Sequence, residues 1–287
     1  MNRLTIREAY YQGKNTLSRA GLKSPAFDAL CLLEKAFGIK GRAGLAVHGG
    51  ETADPEKLRA FGELISRRTR EPLQYILGSW EFCGMELNVG EGVLIPREDT
   101  CVLVETACAG LEGIISPKIL DLCAGSGAVG LAVARRIPDA EVICVEKSRE
   151  ALPYLSRNIS AFGQGRVRCV EGDVLLPPPQ GEFGGKFDCI VSNPPYIPAG
   201  DIDGLEWEVR REPRMALDGG SDGLTFYRAL CALWKPLLRD GGLIAFEIGY
   251  DIRDGVIDIM RQSGIAHITA AKDLNEIDRC VFGTTVS

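Results

Sequence analysis

The chain has 287 residues, 45% hydrophobic and 25% charged, which is ordinary for a globular protein and long enough for one large domain with a small companion. No apolar run approaches the ~18 residues of a membrane span. Residues 1–8 lack the apolar core of an export signal, so a cytoplasmic protein without membrane attachment is expected. A formal net charge of −6 argues against stable nucleic-acid binding, which uses a basic face, and suits a basic protein partner.

Residues 5–70 read as helices. Thr5-Ile6-Arg7-Glu8 is a capping-box pattern, and Ser24-Pro25 and Asp54-Pro55 each place a capping residue before a helix-compatible proline. Leu30, Leu33 and Phe37 recur at helical spacing, as do Leu58, Phe61 and Ile65, with Gly38, Gly41, Gly44 and Gly49-Gly50 as punctuation. The expectation is a small bundle whose apolar faces pack together. From residue 71 to 96 the period changes. Trp80-Glu81-Phe82 and Met85-Glu86-Leu87-Asn88-Val89 alternate and are separated by Gly84 and Gly90, which predicts a β-hairpin linking two domains.

From Lys118 onward the pattern is strand, turn and helix, repeated. Strands are predicted at 119–122, 142–145, 167–170, 187–191 and 243–248, with helical segments between most of them. Such alternation implies right-handed crossovers and an open parallel sheet. Apolar runs at 266–270 and 280–284 are available to complete it. Pro177-Pro178-Pro179 and Gly184-Gly185 mark a loop before the fourth strand.

The ten cysteines are scattered with no Cys-x-x-Cys pair, and Cys144, Cys169 and Cys189 lie inside apolar strand-like runs. The two histidines, His48 and His267, are far from any cysteine cluster. A metal site needs converging ligands, so none is expected, and the cysteines read as reduced core hydrophobes.

Asp121-Leu122-Cys123-Ala124-Gly125-Ser126-Gly127 follows the first parallel strand and precedes a helix starting near Ala128. Gly125 and Gly127 allow a tight turn and close approach to a ligand. No Gly-Lys-Ser/Thr follows, which disfavours a phosphate-cradling P-loop. The spacing Gly125-Ser126-Gly127-Ala128-Val129-Gly130 formally matches a dinucleotide fingerprint, so a nicotinamide-binding domain is a rival on this segment. Glu146 ends the second strand, roughly 20 residues past the glycines, where a carboxylate can accept both hydroxyls of a ribose. Asp173 follows the third strand and is placed to accept from an adenine amino group. Asp121 can hold either the glycine loop or an ammonium group. Each alone reads as a solvated strand-end carboxylate. Three together beside a glycine turn point to a nucleoside ligand at the carboxyl edge of the sheet.

Asn193-Pro194-Pro195-Tyr196 follows the fourth strand. Two prolines there would simply end a strand. They also make a specific device. The Asn193 side-chain carbonyl and the Pro194 backbone carbonyl can accept from one NH2 group, turning its lone pair toward a methyl donor, while Tyr196 offers a flat face to stack on a planar amide or base. The lone pair of such a nitrogen is delocalised, so holding and aligning the group is the main help available.

The chain resembles the HemK/PrmC-type protein-(glutamine-N5) methyltransferases, which modify the glutamine of the Gly-Gly-Gln motif in class-1 peptide chain release factors. The resemblance runs nearly end to end. It includes Glu71-Pro72-Leu73-Gln74-Tyr75-Ile76-Leu77-Gly78, Leu94-Ile95-Pro96-Arg97 with Asp99-Thr100, the glycine turn, Asn193-Pro194-Pro195-Tyr196, Arg211-Glu212-Pro213 and Glu247-Ile248-Gly249. It implies an α/β fold with a Rossmann-like class I S-adenosylmethionine-dependent methyltransferase sheet of seven strands, the last antiparallel. An N-terminal helical bundle over residues 1–75 would recognise the partner, a hairpin linker would span 76–96 and the methyltransferase domain 97–287. S-adenosylmethionine would be held by Asp121, Cys123, Ala124, Gly125, Ser126, Gly127, Glu146, Asp173, Val174 and Asn193. Asn193, Pro194 and Tyr196 would carry the chemistry and, with Pro195, hold the glutamine. The expected partner is a class-1 release factor and the expected state a monomer. Five positions depart from the family pattern: Cys123-Ala124 stands where Gly-Thr is common, Glu98 where proline is usual, Cys101 where glutamate is usual, and Asp251 where glutamine is frequent.

A glutamine of a ribosomal protein is an alternative acceptor. A nucleic-acid N6-adenine methyltransferase shares Asn-Pro-Pro-Tyr but is disfavoured by the acidity and by the lack of a base-flipping domain. A nicotinamide-dependent oxidoreductase leaves Asn193-Pro194-Pro195-Tyr196 without a role.

Overall fold

Thr5 opens helix α1 (Ile6–Arg19) with both halves of its capping box: Thr5 Oγ1 accepts from the Glu8 amide at 3.2 Å, and the Thr5 amide donates to Glu8 Oε2 at 2.7 Å. The computed structural model describes residues 4–179 and 181–286, so residues 1–3 of the segment read for an export signal lie outside it. The chain divides into two compact units, Met1–Ser79 and Trp80–Ser287.

In the first unit, α1 is followed by α2 (Pro25–Phe37), α3 (Gly41–His48), α4 (Pro55–Arg68) and α5 (Leu73–Leu77). Asp54 caps α4 as expected, accepting from the amides of Glu56 and Lys57. Pro25 starts α2, but the expected Ser24 cap is absent, because that side chain makes no capping bond. Leu17, Leu32, Leu33, Phe37, Phe61 and Ile65 form the core. Arg68 donates to Asp28 at 2.7 Å with both side chains buried, so losing either partner would leave a buried charge alone.

Apart from Ser79, the hairpin β1 (Ser79–Phe82) and β2 (Met85–Asn88) lies in the second unit. Its two-residue turn places Cys83 and Gly84 at φ +47° and +75°, the left-handed geometry that matches strand twist. Phe82, Met85 and Leu87 are buried in the larger unit's core, so the hairpin is a structural part of that unit and more than a connector. The remaining elements alternate: α6 (Cys101–Gly110), β3 (Lys118–Leu122), α7 (Ala128–Arg136), β4 (Glu141–Glu146), α8 (Leu152–Phe162), β5 (Val167–Glu171), β6 (Phe187–Ser192), α9 (Thr225–Ala229), β7 (Leu238–Glu247), α10 (Arg253–Gln262), β8 (Ile265–Lys272) and β9 (Asp278–Thr285). Among the described residues no helix is long and apolar enough to cross a membrane.

Seven strands form one sheet in the order β5-β4-β3-β6-β7-β9-β8. β3 to β7 are parallel, and β9 runs antiparallel between β7 and β8. Successive residues face opposite layers. Ile119, Cys189 and Val191 pack with α6 and α7, whereas Leu120, Leu122 and Ile190 pack with Tyr227, Trp234, Val256 and Met260. Cover on both faces explains the unbroken apolar runs read in the sequence. Pairing of β6 with β7 is irregular near its start: Phe187 faces Leu238, but Cys189 already faces Leu243. The strand order reverses between β3 and β6, the switch point where ligands enter folds of this kind.

Helix α7 approaches the sheet closely at Gly130. A Cβ there would lie 2.9 Å from Asp121 Oδ2, 2.9 Å from Cys144 Sγ and 3.0 Å from Val142 Cγ1. This accounts for the third glycine of the apparent dinucleotide fingerprint by packing alone. Gly130→Ala gains up to ~1 kcal/mol of helix propensity but overpacks a site where such changes cost ~1–3 kcal/mol. A net loss of about 1–2 kcal/mol is expected, read as a lower urea midpoint with unchanged slope.

Candidate active site

The parallel strands deliver polar residues to one edge: Asp121 on β3, Glu146 on β4, Asn193 just past β6 and Glu247 on β7. Asp121 is 1% exposed, and its Oδ2 accepts from the Gly130 amide at 2.8 Å, so it holds the helix that follows the glycine turn. Burial pushes its carboxyl up to about 7, with the Gly130 amide opposing and the Glu146 charge adding.

The turn itself is left-handed at three positions. Gly125 and Gly127 have φ +56° and +83°, and Cys123 has φ +62°. Cys123 occupies the position where the resembling family commonly has glycine, and its backbone conformation supplies the reason. Glu146 grips the turn from the neighbouring strand: Oε2 accepts from the Gly125 amide at 2.7 Å and Oε1 from the Ser148 amide at 2.6 Å. A carboxylate has about four acceptor sites, so capacity for two further donors remains. Asp173 pairs with Lys147 at 2.8 Å and accepts from the Leu175 amide at 3.0 Å. Burial would raise its carboxyl, but those two partners hold it below the usual range.

These groups line an open cleft. Of the residues singled out in the sequence, Asp121, Cys123, Ala124, Gly125, Ser126, Glu146, Asp173, Val174, Asn193 and Pro195 line it. Gly127, Pro194 and Tyr196 do not. Gly127 turns the chain behind the wall, and a Cβ there would lie 2.6 Å from Leu155. Pro194 is buried, and the Tyr196 ring packs beside Gly249 and against the core beneath β7.

Asn193 is half-buried, and its Nδ2 donates to Thr100 Oγ1 at 3.4 Å, which turns Oδ1 away from Thr100. Ser192, immediately before it, donates to the Leu122 carbonyl at 2.6 Å and so joins β6 to β3 at the switch point. The cleft rim is tied by Glu212, which accepts from the Ile95 amide at 2.9 Å and pairs with Arg97. Burial raises the Glu212 carboxyl, with the Arg97 charge and Ile95 amide opposing. This one carboxylate joins the Leu94-Ile95-Pro96-Arg97 and Arg211-Glu212-Pro213 segments.

Sequence reasoning missed Asn158 of α8. It is fully buried and binds four groups: Oδ1 accepts from the Asn88 amide and Nδ2, and its own Nδ2 donates to the carbonyls of Asn88 and Ser126. It thereby ties the hairpin to the glycine turn. The available signal was an amide in the apolar stripe between Leu155 and Phe162. Among the described residues no group of His, Cys, Asp and Glu side chains is placed to hold a metal ion.

Comparison with known proteins extends the geometry. Residues 8–78 match the family described as PrmC N-terminal domain, and residues 100–220 the family described as methyltransferase small domain. The release factor glutamine methyltransferase of Geobacter sulfurreducens is 41% identical over 281 residues, covering 97% of this chain and 96% of its own. That of Caulobacter vibrioides is 37% identical over 283 residues, covering 98% and 96%. Among solved structures, a methyltransferase from Pyrococcus furiosus is similar in fold, with a TM-score of 0.50 at 17% identity over 71% of this chain and 90% of that one.

The raised Asp121 carboxyl has a consequence for stability. Its neutral form is favoured by the fold, so its stabilising contribution is complete below the unfolded-chain value of ~3.9 and is lost as pH rises through about 7. Ligand-free protein should therefore lose unfolding free energy between about pH 4 and pH 7. Asp121→Asn stays neutral and keeps an oxygen for the Gly130 amide, so its decline across that window should be shallower. Urea unfolding at several pH values reads the difference.

Proposed function

The chain belongs to the release factor glutamine methyltransferase family, and we propose that it transfers the methyl group of S-adenosylmethionine to the side-chain amide nitrogen of the Gly-Gly-Gln glutamine in class-1 peptide chain release factors, acting in the cytoplasm. The observation that carries this reading is Asn193-Pro194-Pro195-Tyr196 at the end of β6, with Asn193 and Pro195 on the same cleft as the glycine turn and Glu146.

The residues present fit the cofactor. Glu146 retains acceptor capacity for ribose hydroxyls. Val93, Val145, Val174 and Phe226 supply apolar wall for a base. Lys147 is paired with Asp173 and Arg97 with Glu212, so the charge left over in the cleft is the negative charge of Glu146. That charge balance suits a cationic sulfonium with its ammonium group, and opposes the two negative charges of a dinucleotide pyrophosphate. When bound, S-adenosylmethionine would supply the methyl group: the carbon–sulfur bonding pair would stay on sulfur, the amide nitrogen would bond the methyl carbon, and the nitrogen would release one of its two protons to solvent.

The chain's own work is to hold the amide. Asn193 Oδ1 and the Pro194 carbonyl accept from the NH2 group, and the proline pair fixes their directions. Tyr196 is proposed to provide the stacking face after the substrate enters, since its ring now lies beside Gly249. The apolar walls exclude water that would otherwise compete for the amide.

Single-turnover transfer of labelled methyl to a release factor tests the reading. Native factor should be labelled, and a factor with alanine for the Gly-Gly-Gln glutamine should not. Equal labelling of both would refute the glutamine assignment, and stronger labelling of DNA would put adenine in its place. Asn193→Ala should lose on the order of 100-fold or more in turnover, the scale of removing one transition-state hydrogen-bonding group. Glu146→Ala should weaken cofactor binding by about 1–3 kcal/mol by calorimetry, and NAD should bind far more weakly than S-adenosylmethionine.

Among the described residues, those lining the cleft all belong to the second unit, and we propose that the unit Met1–Ser79 docks the protein partner. A chain beginning at Trp80 should keep cofactor binding and methylate a short Gly-Gly-Gln peptide, but label folded release factor poorly. Full-rate labelling of the folded factor would remove the docking role.

A further inference from the structure

Glu247 ends β7, the strand beside β6, and is 4% exposed. Its Oε2 is buried without a hydrogen-bond partner among the described residues. A carboxylate kept so is costly and calls for an explanation. Its charged and titratable neighbours are Arg97 and Asp99 ahead of α6, Arg279 and Cys280 on β9, Tyr196 after β6 and Tyr227 on α9. Most are committed elsewhere. Arg97 pairs with Glu212, Arg279 with Asp99 and Asp273 at 2.8 Å each, and the Tyr227 hydroxyl donates to the Glu247 backbone carbonyl at 2.8 Å. The group left for the carboxylate is the buried Thr100 hydroxyl, which favours its ionised form.

We infer that Glu247 acts through Thr100 as a positioning group that fixes which end of the Asn193 side chain faces the substrate, an inference that rests on the amide-methylation reading above. The two ends of an asparagine amide are nearly equal in shape and exchange by a half-turn. One end accepts and the other donates. A substrate NH2 needs the acceptor. An ionised carboxylate can only accept, so it draws the Thr100 hydrogen to itself. Thr100 Oγ1 then has only a lone pair for Asn193, which answers with Nδ2 at 3.4 Å and turns Oδ1 toward the substrate side. A protonated Glu247 donates to Thr100 instead. The hydroxyl hydrogen then swings to Asn193, only Oδ1 can take it, and the amide is reversed. The direction of every bond in the chain is set by one proton. Burial pushes the Glu247 carboxyl up to about 7, so that proton exchanges near neutral pH, with Thr100 and Arg279 opposing the rise.

The test compares kcat under saturating cofactor and release factor from about pH 5.5 to pH 9, where kcat reports groups of the bound complex. Wild-type kcat should fall as pH drops through about 7. Glu247→Gln keeps the shape but can both accept and donate, so it no longer selects an orientation. Its kcat at pH 8 should be about 10- to 100-fold lower, without the acid limb, and with unchanged cofactor Kd. Thr100→Val should show the same loss and Thr100→Ser should restore most of it. A second readout needs no substrate: the Asn193 side-chain amide resonance of the free protein should shift as pH crosses about 7 in wild type and stay fixed in Glu247→Gln. The inference is overturned by wild-type kcat in Glu247→Gln, by an acid limb or amide shift that persists in it, by Thr100→Ser behaving like Thr100→Val, or by a loss that appears in Kd rather than kcat. Failure of the parent reading shows instead in the wild type, as label absent from the factor or equal on its alanine-substituted form.

Discussion

The bond from the Gly130 amide to the buried Asp121 carboxylate sets how closely helix α7 comes to β3 and β4. Everything at the cofactor side of the cleft inherits its position from that approach. The turn from Cys123 to Gly127 must close within the space left between strand end and helix start, which is why left-handed backbone is required there. Asn158 pins the same turn from α8 through the Ser126 carbonyl, and Glu146 from β4 through the Gly125 amide. Three side chains from three elements thus fix one short loop. Such over-determination keeps strained backbone in place without a ligand.

The other side of the cleft is built on separate strands. β6 and β7 bring Asn193 and Glu247 to the edge, and the loop ahead of α6 adds Thr100 and Arg97. The two halves meet at the switch point, where Ser192 donates to the Leu122 carbonyl. A ligand held by the first half and a group held by the second therefore face each other across a short and buried hydrogen bond. That bond keeps the distance between them nearly constant, the condition that in-line transfer imposes.

The parallel strands were legible because cover on both faces demands unbroken apolar runs, and the helices α1 and α4 because their capping side chains are short-range signals. Ser24 shows the limit of that signal: the residue type is right, but its side chain is not used. β7 begins five residues before the apolar run that announces it, since Gly241 and Gly242 hide its irregular start. At the site, strand-end carboxylates and the paired prolines stood out because neither suits a buried strand otherwise. Asn158 did not, because its work is to join a segment 70 residues away, and Glu212 stood out only within the resemblance, since no local pattern records its bond to the Ile95 amide 117 residues away. Tyr196 was chosen for its ring, yet where the ring lies depends on its packing beside Gly249.

The irregular pairing between β6 and β7 lies at the amino-terminal end of β6, opposite the edge that carries Asn193. By Cys189 the ladder is back in step and stays so to Ser192, which faces Phe246. Slippage by one residue anywhere along that run would turn Asn193 to the wrong layer. The bulged corner of Arg239 to Gly242 acts as an expansion joint: changes in length there are taken up before they reach the register that matters. A change of chain length at that corner therefore leaves the position of Asn193, at the opposite edge of the sheet, unaltered.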